Sequence, residues 1–434
     1  MASVLYFVSD LHFGGDGDLR HCDFTEEFIA FLCRLRGKGE DAELIIAGDT
    51  FGFWETTTVK GTAKLDKIIA DHQAIFDELR RTGEVVTITL MVGNHDYDLA
   101  CDPGFAPKLA AYNIHLDPAI SLSRPVAGRT VWIEHGQQAD AFNASPDYGN
   151  FYALPVGYFI TETVVAGASR LSTFGRGNWL KDIRSVATEQ IPDWILSNYF
   201  YREMSWVIRA VATVFLLLLA FTLLALVGEA LRVAGVINDN IFINNPLFRS
   251  LGFFGNILHV IIVFNMIILF FMLVVAVPGM VVLHDLKNTL RRFQITGSEV
   301  SSVAAHSNQP YLDRAREVFA EHPDVAVYLF GHTHDAFLER EPDGRVIANL
   351  GTWLKILHRV PVRFGYLPAV YYPTFRLNYF RIHGEKGKVV VSYIDAPKVP
   401  QRELTWQQRL VILGKKPPPP RLIPATTVID AQTF

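Results

Sequence analysis

Two kinds of apolar run alternate with polar clusters along this chain. The short ones span five to seven residues: Ser3–Val8, Glu43–Ala47, Val86–Val92, Thr130–Glu134, Val325–Phe330 and Val346–Leu350. They are rich in β-branched and aromatic residues, and each ends in a polar cluster. Their length and composition predict buried strands. Between the first three lie amphipathic stretches. "TEEFIAFLCRLRGKG" starts at Thr25, and "KLDKIIADHQAIFDELRRTG" stops at Gly83. A polar start and a glycine stop predict a helix for each. Strands alternating with helices predict an α/β layered domain.

The long runs are of another kind. Ala210–Val227 contains no charged residue, and two windows, Val207–Val227 and Ile257–Leu283, qualify as membrane spans. A helix rises about 1.5 Å per residue, so either window covers the ~30 Å hydrocarbon core. Pro278, in "VPGM", predicts a kink or an exit near the end of the second. Arg202 and Arg209 flank the first span, and Lys287, Arg291 and Arg292 follow the second, whereas the connecting loop carries only Arg232 and Arg249. The positive-inside rule then predicts a helical hairpin with both outer flanks in the cytosol. The competing reading is a pair of buried core helices.

This patterning divides the chain. Residues 1–142 and 325–400 read as two parts of one α/β domain. Residues 143–206 read as a helical cap, 207–283 as the transmembrane hairpin (207–227 and 257–283), 284–324 as a helical return and 401–434 as a proline-containing tail. "FRLNYFRIHGEKGKVVVSYID" predicts a β-hairpin turning at "GEKGK", and "KKPPPPRLIP" predicts an extended polyproline stretch.

Composition sharpens this. Half of the 434 residues are hydrophobic, more than a typical cytosolic enzyme carries, and the formal net charge is −4. A globally basic surface for nucleic acid is therefore not expected. Cys22, Cys33 and Cys101 include no Cys-x-x-Cys pair and suit a reducing compartment. "MASVLYFVSDLHF" lacks the basic and long apolar regions of a signal peptide, so the N-terminus is expected to stay cytosolic.

Chemistry concentrates where strands end. "SDLHF" offers Asp10 and His12, "GDTF" Asp49, "GNHD" Asn94, His95 and Asp96, "EHG" His135, and "GHTH" His332 and His334. In α/β folds the carboxyl ends of strands converge on the ligand-binding edge. Carboxylates and imidazoles without thiolates suit Mn²⁺, Fe or Zn²⁺. A carboxylate such as Asp49 can bridge two ions. Ions about 3.5–4 Å apart can hold a hydroxide between them and clamp a phosphoryl group during in-line attack. His95, beside a ligand, is placed to protonate a leaving oxygen or stabilise charge.

Asp-x-His, Gly-Asp, Gly-Asn-His-Asp, His and Gly-His-x-His, in this order and each after a strand, closely resemble the calcineurin-like metallophosphoesterase family. The resemblance covers about residues 3–136 and 325–353. It implies a four-layer αββα sandwich and two divalent ions, Mn²⁺ foremost, with Fe or Zn²⁺ as alternatives. One site would be formed by Asp10, His12, Asp49 and His334, the other by Asp49, Asn94, His135 and His332. His95 takes the place of the family's catalytic histidine. In many members an acid soon after Gly-Asp orients that histidine; here "GDTFGFWE" has no acid before Glu55, and Asp96 is nearer in sequence. "SDLHFGG", "GDTFGFWE" and "EHGQQADAFN" look like the branch containing the UDP-2,3-diacylglucosamine pyrophosphatases, which cleave a lipid-linked pyrophosphate at the membrane. Many of those carry Arg in place of His95 and lack a two-span insert.

The spans fall between the fourth and fifth ligand clusters, and an even number of crossings returns both halves to one side. These readings converge on an integral protein of the inner or cytoplasmic membrane, with its catalytic domain in the cytosol. It would be a dimetal phosphoesterase cleaving a phosphoester or pyrophosphate bond of a lipid or lipid-linked substrate by attack of a metal-bridging hydroxide. Its partners would be that substrate and the bilayer, with no nucleic acid. Arg170 and Arg176, with Lys181 and Arg184, are the cap cations expected to meet phosphate; lipid headgroups or solvent are their alternative partners. The rival functions are a tethered phosphodiesterase of soluble nucleotides, an inactive scaffold on a phosphatase fold, and a nuclease.

Overall fold

The strand signals convert into strands almost residue for residue in the computed structural model. It describes residues 3–165, 179–186, 190–244, 246, 250–292, 308–362, 367–398 and 404–430. The first sheet contains β1 (Val4–Val8), β2 (Ala42–Ala47), β3 (Thr87–Met91) and β4 (Ile114–Asp117) in parallel. The second is built on β5 (Ser121–Val126), β6 (Arg129–Glu134), β7 (Val325–Phe330), β8 (Phe337–Arg340) and β9 (Val346–Asn349), in the order β5-β6-β7-β9-β8. A separate two-stranded sheet joins β10 (Ile356–Val360) and β11 (Val370–Thr374). The first sheet is completed by β12 (Asn378–Glu385), β13 (Lys388–Asp395) and β14 (Thr426–Asp430), giving the order β14-β13-β12-β1-β2-β3-β4. The hairpin expected at "GEKGK" turns on Lys386 and Gly387, both with left-handed backbone (φ 51° and 74°), as a tight two-residue turn requires.

The chain forms two compact units, Met1–Glu203 with Ser307–Phe434, and Met204–His306. In the first unit the two large sheets stack face to face. Leu5 and Phe7 of β1, Ile45 and Ala47 of β2 and Met91 of β3 meet Val131, Ile133, Val327, Leu329 and Ala348 from the other sheet. The opposite face of β1 and β2 (Val4, Tyr6, Val8, Leu44, Ile46) is covered by Phe28, Phe31 and Leu32 of helix Thr25–Gly37 and by Leu65, Ile68, Ile75 and Phe76. The outer face of the second sheet (Tyr328, Phe330, Ile347) packs on Tyr311, Leu312, Ala315, Val318 and Phe319 of helix Gln309–Glu321. The layers therefore run helix, sheet, sheet, helix. Because both faces of β1, β2 and β7 are buried, these strands read as continuous apolar runs instead of alternating ones.

Three local expectations change. The helix expected up to Gly83 is two helices, Ala63–Asp71 and Gln73–Thr82, because His72 leaves helical geometry (φ −125°, ψ 33°) and packs its ring 5.5 Å from that of Phe13. The region expected as a helical cap holds only short helical turns and helix Ile191–Asn198 among its described residues, with Trp179, Ile183, Ile191 and Trp194 in a small core of their own beside Tyr371. The tail gains a strand that its sequence does not signal: beyond "KKPPPPRLIP", which holds neither helix nor strand, it pairs with β13 as β14.

In the second unit, helices Trp206–Val233 and Phe253–Arg292 pack against each other. The turn between them is tied back by Asn240, whose amide donates to the Ala225 carbonyl at 2.8 Å. Among the described residues one helical stretch, Phe253–Val282, is long and apolar enough to cross a membrane. The other expected span, Val207–Val227, is helical within Trp206–Val233, but the described residues hold no second stretch long and apolar enough, so the expected two-span hairpin is supported at one span alone. Apolar side chains face outward along both helices, among them Val211, Phe215, Leu217, Phe264, Phe270 and Phe271, all more than half exposed.

Phe7→Ala removes a fully buried ring between the sheets and is expected to destabilise the first unit by about 3–5 kcal/mol. A melting temperature equal to that of the unchanged protein, read by near-ultraviolet circular dichroism, would contradict this packing.

Candidate metal centre

All five polar clusters leave their strands at one edge. The two sheets are stitched together there. The His332 N–H donates to Asp10 Oδ2 at 3.0 Å and the Thr352 hydroxyl to the Asp10 carbonyl at 2.8 Å. An extended chain sends successive side chains to opposite faces. Here Asp10, His12, Asp49, His332 and His334 have left-handed backbone, with φ of 55°, 46°, 49°, 66° and 60°, which breaks that alternation. They are five of the nine non-glycine residues with positive φ among the described residues. Each such position costs of order 1–3 kcal/mol, and such strain persists where the surrounding structure over-determines it.

The donor atoms fall into two groups that share Asp49. In one, His334 Nε2 is 3.1 Å from Asp10 Oδ1 and 3.2 Å from His12 Nε2, and His12 Nε2 is 3.7 Å from Asp49 Oδ2. In the other, His135 Nε2 is 3.2 Å from both Asp49 Oδ2 and Asn94 Oδ1. The donor atoms of Asp49, His135 and His332 lie within 4.8 Å of one another. Ligands held about 2.0–2.2 Å from a tetrahedral centre stand about 3.3–3.6 Å apart, and the separations of 3.1–3.7 Å measured here bracket that spacing. Asp10 Oδ1 and His12 Nδ1 are buried without a hydrogen-bond partner. The residues thus fit a pair of divalent cations, with Asp10, His12, Asp49 and His334 able to hold one and Asp49, Asn94, His135 and His332 the other.

Backbone amides divide the carboxylate oxygens. Asp10 Oδ2 accepts from the His332 N–H at 3.0 Å, leaving Oδ1 toward His334. Asp49 Oδ1 accepts from the His95 N–H at 2.8 Å, leaving Oδ2 between His12 and His135. Glycine makes this approach possible. A Cβ at Gly93 would collide with the carboxylate and backbone nitrogen of Asp49, and one at Gly48 with the His135 ring.

The neighbouring shell fixes the rings. His135 Nδ1 is 2.8 Å from the Ala47 carbonyl, which leaves Nε2 for an ion. His332 Nε2 is 3.0 Å from Asp140 Oδ2. His95 Nδ1 is 3.0 Å from Glu55 Oε1 and its ring centroid 4.4 Å from that of Trp54. Glu55, not Asp96, is therefore the acid beside His95. Asp96 instead binds backbone, accepting from Thr50 and Gly93 at 2.7 Å and from Phe51 at 3.1 Å.

Burial opposes the charged form of His95, but the carboxylates of Glu55 and Asp49 overcome it and push its pKa up to about 9. His135 is likewise raised, to about 10, by Asp49 and Asp10 against its burial. Burial and the nearby Asp49 charge raise Asp96 to about 7. The buried carboxylates thus draw positive charge to this edge.

The eight residues singled out in the sequence come together here. Arg170 and Arg176 lie outside the described residues. Lys181 is engaged by Asp23 at 3.0 Å. Arg184 donates to the carbonyls of His12 at 3.0 Å, Gly14 at 3.3 Å and His21 at 3.1 Å, so it braces the His12 loop. Trp54 and Asp140 were not foreseen. Trp54 stands in "GDTFGFWE" beside Glu55, and Asp140 stands in "EHGQQADAFN" five residues beyond His135.

No protein-family model matches the sequence, and no curated protein matches it. Among solved structures, a dimetal phosphatase from Danio rerio aligns over 92% of this chain and 98% of its own, at 9% identity and a TM-score of 0.33. A likeness of that size assigns neither fold nor activity to this chain, and the family resemblance rests on the motifs.

Gly93→Ala is expected to lower stability by about 1–3 kcal/mol through the forced clash with Asp49. Gly37→Ala, with open space around its Cβ position, serves as the near-neutral control. Equal melting temperatures for the two variants would contradict the packing at Gly93.

Proposed function

We propose that this chain is a membrane-anchored dimetal phosphoesterase that cleaves a phosphoester or pyrophosphate bond of a lipid or lipid-linked substrate at the cytosolic face. The observation that carries the hydrolytic reading is the position of Asp49 Oδ2, 3.2 Å from His135 Nε2 and 3.7 Å from His12 Nε2, shared by two groups of metal-type donors. The ions would polarise the phosphoryl oxygens and lower the pKa of the attacking water. The oxygen and nitrogen donor set suits Mn²⁺ first, with Fe or Zn²⁺ by the same chemistry.

The protein's own groups supply the rest. Glu55 orients the His95 imidazole and favours its protonated form, so His95 can donate a proton to the leaving oxygen or bind charge as it develops. Trp54 covers one face of that ring and limits water there. Asp96 fixes the loops that carry Asp49 and Asn94 relative to each other through three backbone N–H groups.

The lipid part of the proposal rests on the apolar stretch Phe253–Val282 and on chain order. The segment that carries it is inserted between His135 and His332, within the set of site residues. Two crossings, by Val207–Val227 and Ile257–Leu283, would leave both parts of the catalytic unit on the same side, and the flanking arginines and lysines favour the cytosol. The near-neutral charge does not favour nucleic acid as substrate.

The test is Mn²⁺-dependent hydrolysis by the purified protein in detergent, comparing UDP-diacylglucosamine with its delipidated head group. The lipid form is expected to be strongly preferred. Asp49→Ala is expected to abolish turnover, and His95→Ala to lower kcat by about 10²–10⁴-fold. Equal turnover of both substrates would remove the lipid assignment, and full activity of Asp49→Ala would remove the mechanism.

A further inference from the structure

Asp140 lies five residues beyond His135, outside both groups of ion-holding donors. Its Oδ2 is 3.0 Å from His332 Nε2 and 2.7 Å from Asn143 Nδ2, and its Oδ1 accepts from the Phe142 N–H at 2.9 Å. Three donors therefore hold this carboxylate in place. With Nε2 of His332 engaged, Nδ1 is the ring nitrogen left for an ion. A carboxylate on the far nitrogen of a ligating histidine selects its tautomer, fixes the ring plane and makes the ligating nitrogen more basic.

The two halves of the site differ in this respect. His12 Nδ1 is buried with no hydrogen-bond partner, and Glu55, whose carboxylate lies within 4.8 Å of a His12 ring nitrogen, does not bond it, so no hydrogen-bonded carboxylate fixes that ring as Asp140 fixes His332. His135 is held by a neutral carbonyl, that of Ala47. The segment beyond Asp140 also reaches the other side of the site, since the Tyr158 ring meets Trp54 edge-on at 5.8 Å and Trp54 lies against His95.

We propose that Asp140 is a positioning residue that holds His332 for the ion shared with Asp49 and His135, and so sets the affinity of that ion and not of its neighbour. This rests on the dimetal reading of the site. Its consequence is sequential loading, because the carboxylate-supported half and the unsupported half take up ions with different affinities and respond differently to loss of Asp140.

The experiment uses the full chain in detergent, stripped of metal and titrated with Mn²⁺. Bound ions are counted by elemental analysis, and free Mn²⁺ is followed by electron paramagnetic resonance. The unchanged protein is expected to bind two ions. Asp140→Ala is expected to keep one with unchanged affinity and to bind the other about 10–100-fold more weakly. Asp140→Asn, whose amide oxygen still accepts from Nε2, is expected to fall between. Unchanged affinity for both ions in Asp140→Ala overturns the proposal, and so does equal weakening of both in a variant that melts normally. Where Asp140→Ala melts early, Asp140→Asn decides: selective weakening of one ion supports the proposal, and no change overturns it. Fewer than two ions on the unchanged protein would overturn the dimetal reading, and this proposal with it.

Discussion

The burial of three carboxylates at one sheet edge is the constraint around which the rest of the site is arranged. Asp10, Asp49 and Asp96 are each no more than 1% exposed. A buried ionised carboxylate is expensive unless it is paired and hydrogen-bonded. Backbone amides meet part of that cost, three on Asp96 and one each on Asp10 and Asp49. What remains is one oxygen each on Asp10 and Asp49, both turned toward imidazoles. Those oxygens push the pKa of His135 up, as Glu55 and Asp49 do for His95, and they explain why the same edge fits divalent cations.

Holding that arrangement requires a rigid support. The left-handed positions at Asp10, His12, Asp49, His332 and His334 are strained, and the strain persists because each loop is anchored at both ends. Behind it stands a strand buried on two faces, and around it are the backbone bonds that tie β1 to β2 and β6 to β7 at their ends. The glycines of Gly-Asp and Gly-Asn belong to the same device. They leave room for a carboxylate and an imidazole where any side chain would intrude. Arg184 adds an outside brace, spending its guanidinium on the carbonyls of the His12 loop and not on a phosphate.

The second unit obeys different physics. Its helices expose Val211, Phe215, Phe264 and Phe270, an arrangement that water disfavours and lipid accepts. Among its described residues, Asn240 donates to the Ala225 carbonyl and Thr222 to that of Leu218, so these polar groups are satisfied within the unit. Its place in the chain, between His135 and His332, means that closing the site requires both ends of the insert to emerge on the same side of any bilayer.

Much of this was legible in local sequence, because strand burial, helix stops and apolar length are properties of contiguous residues. The runs Val4–Val8, Ala42–Ala47 and Val325–Phe330, the order of the ligand clusters and the apolar character of Ile257–Leu283 needed no third dimension. Tertiary structure alone decided what depends on residues distant in the chain. Sequence proximity favoured Asp96 as the partner of His95, but the loop after β2 curls to bring Glu55 there and turns Asp96 onto the backbone. Asp140 meets His332 across 192 positions, a pairing that no local pattern encodes. Lys181, a cap cation expected to meet phosphate, instead pairs with Asp23, 158 positions away. The chain by itself determined which side chains are available at the ends of its strands. Packing the two sheets face to face decided which oxygen of each carboxylate is spent on the backbone and which is left for a cation.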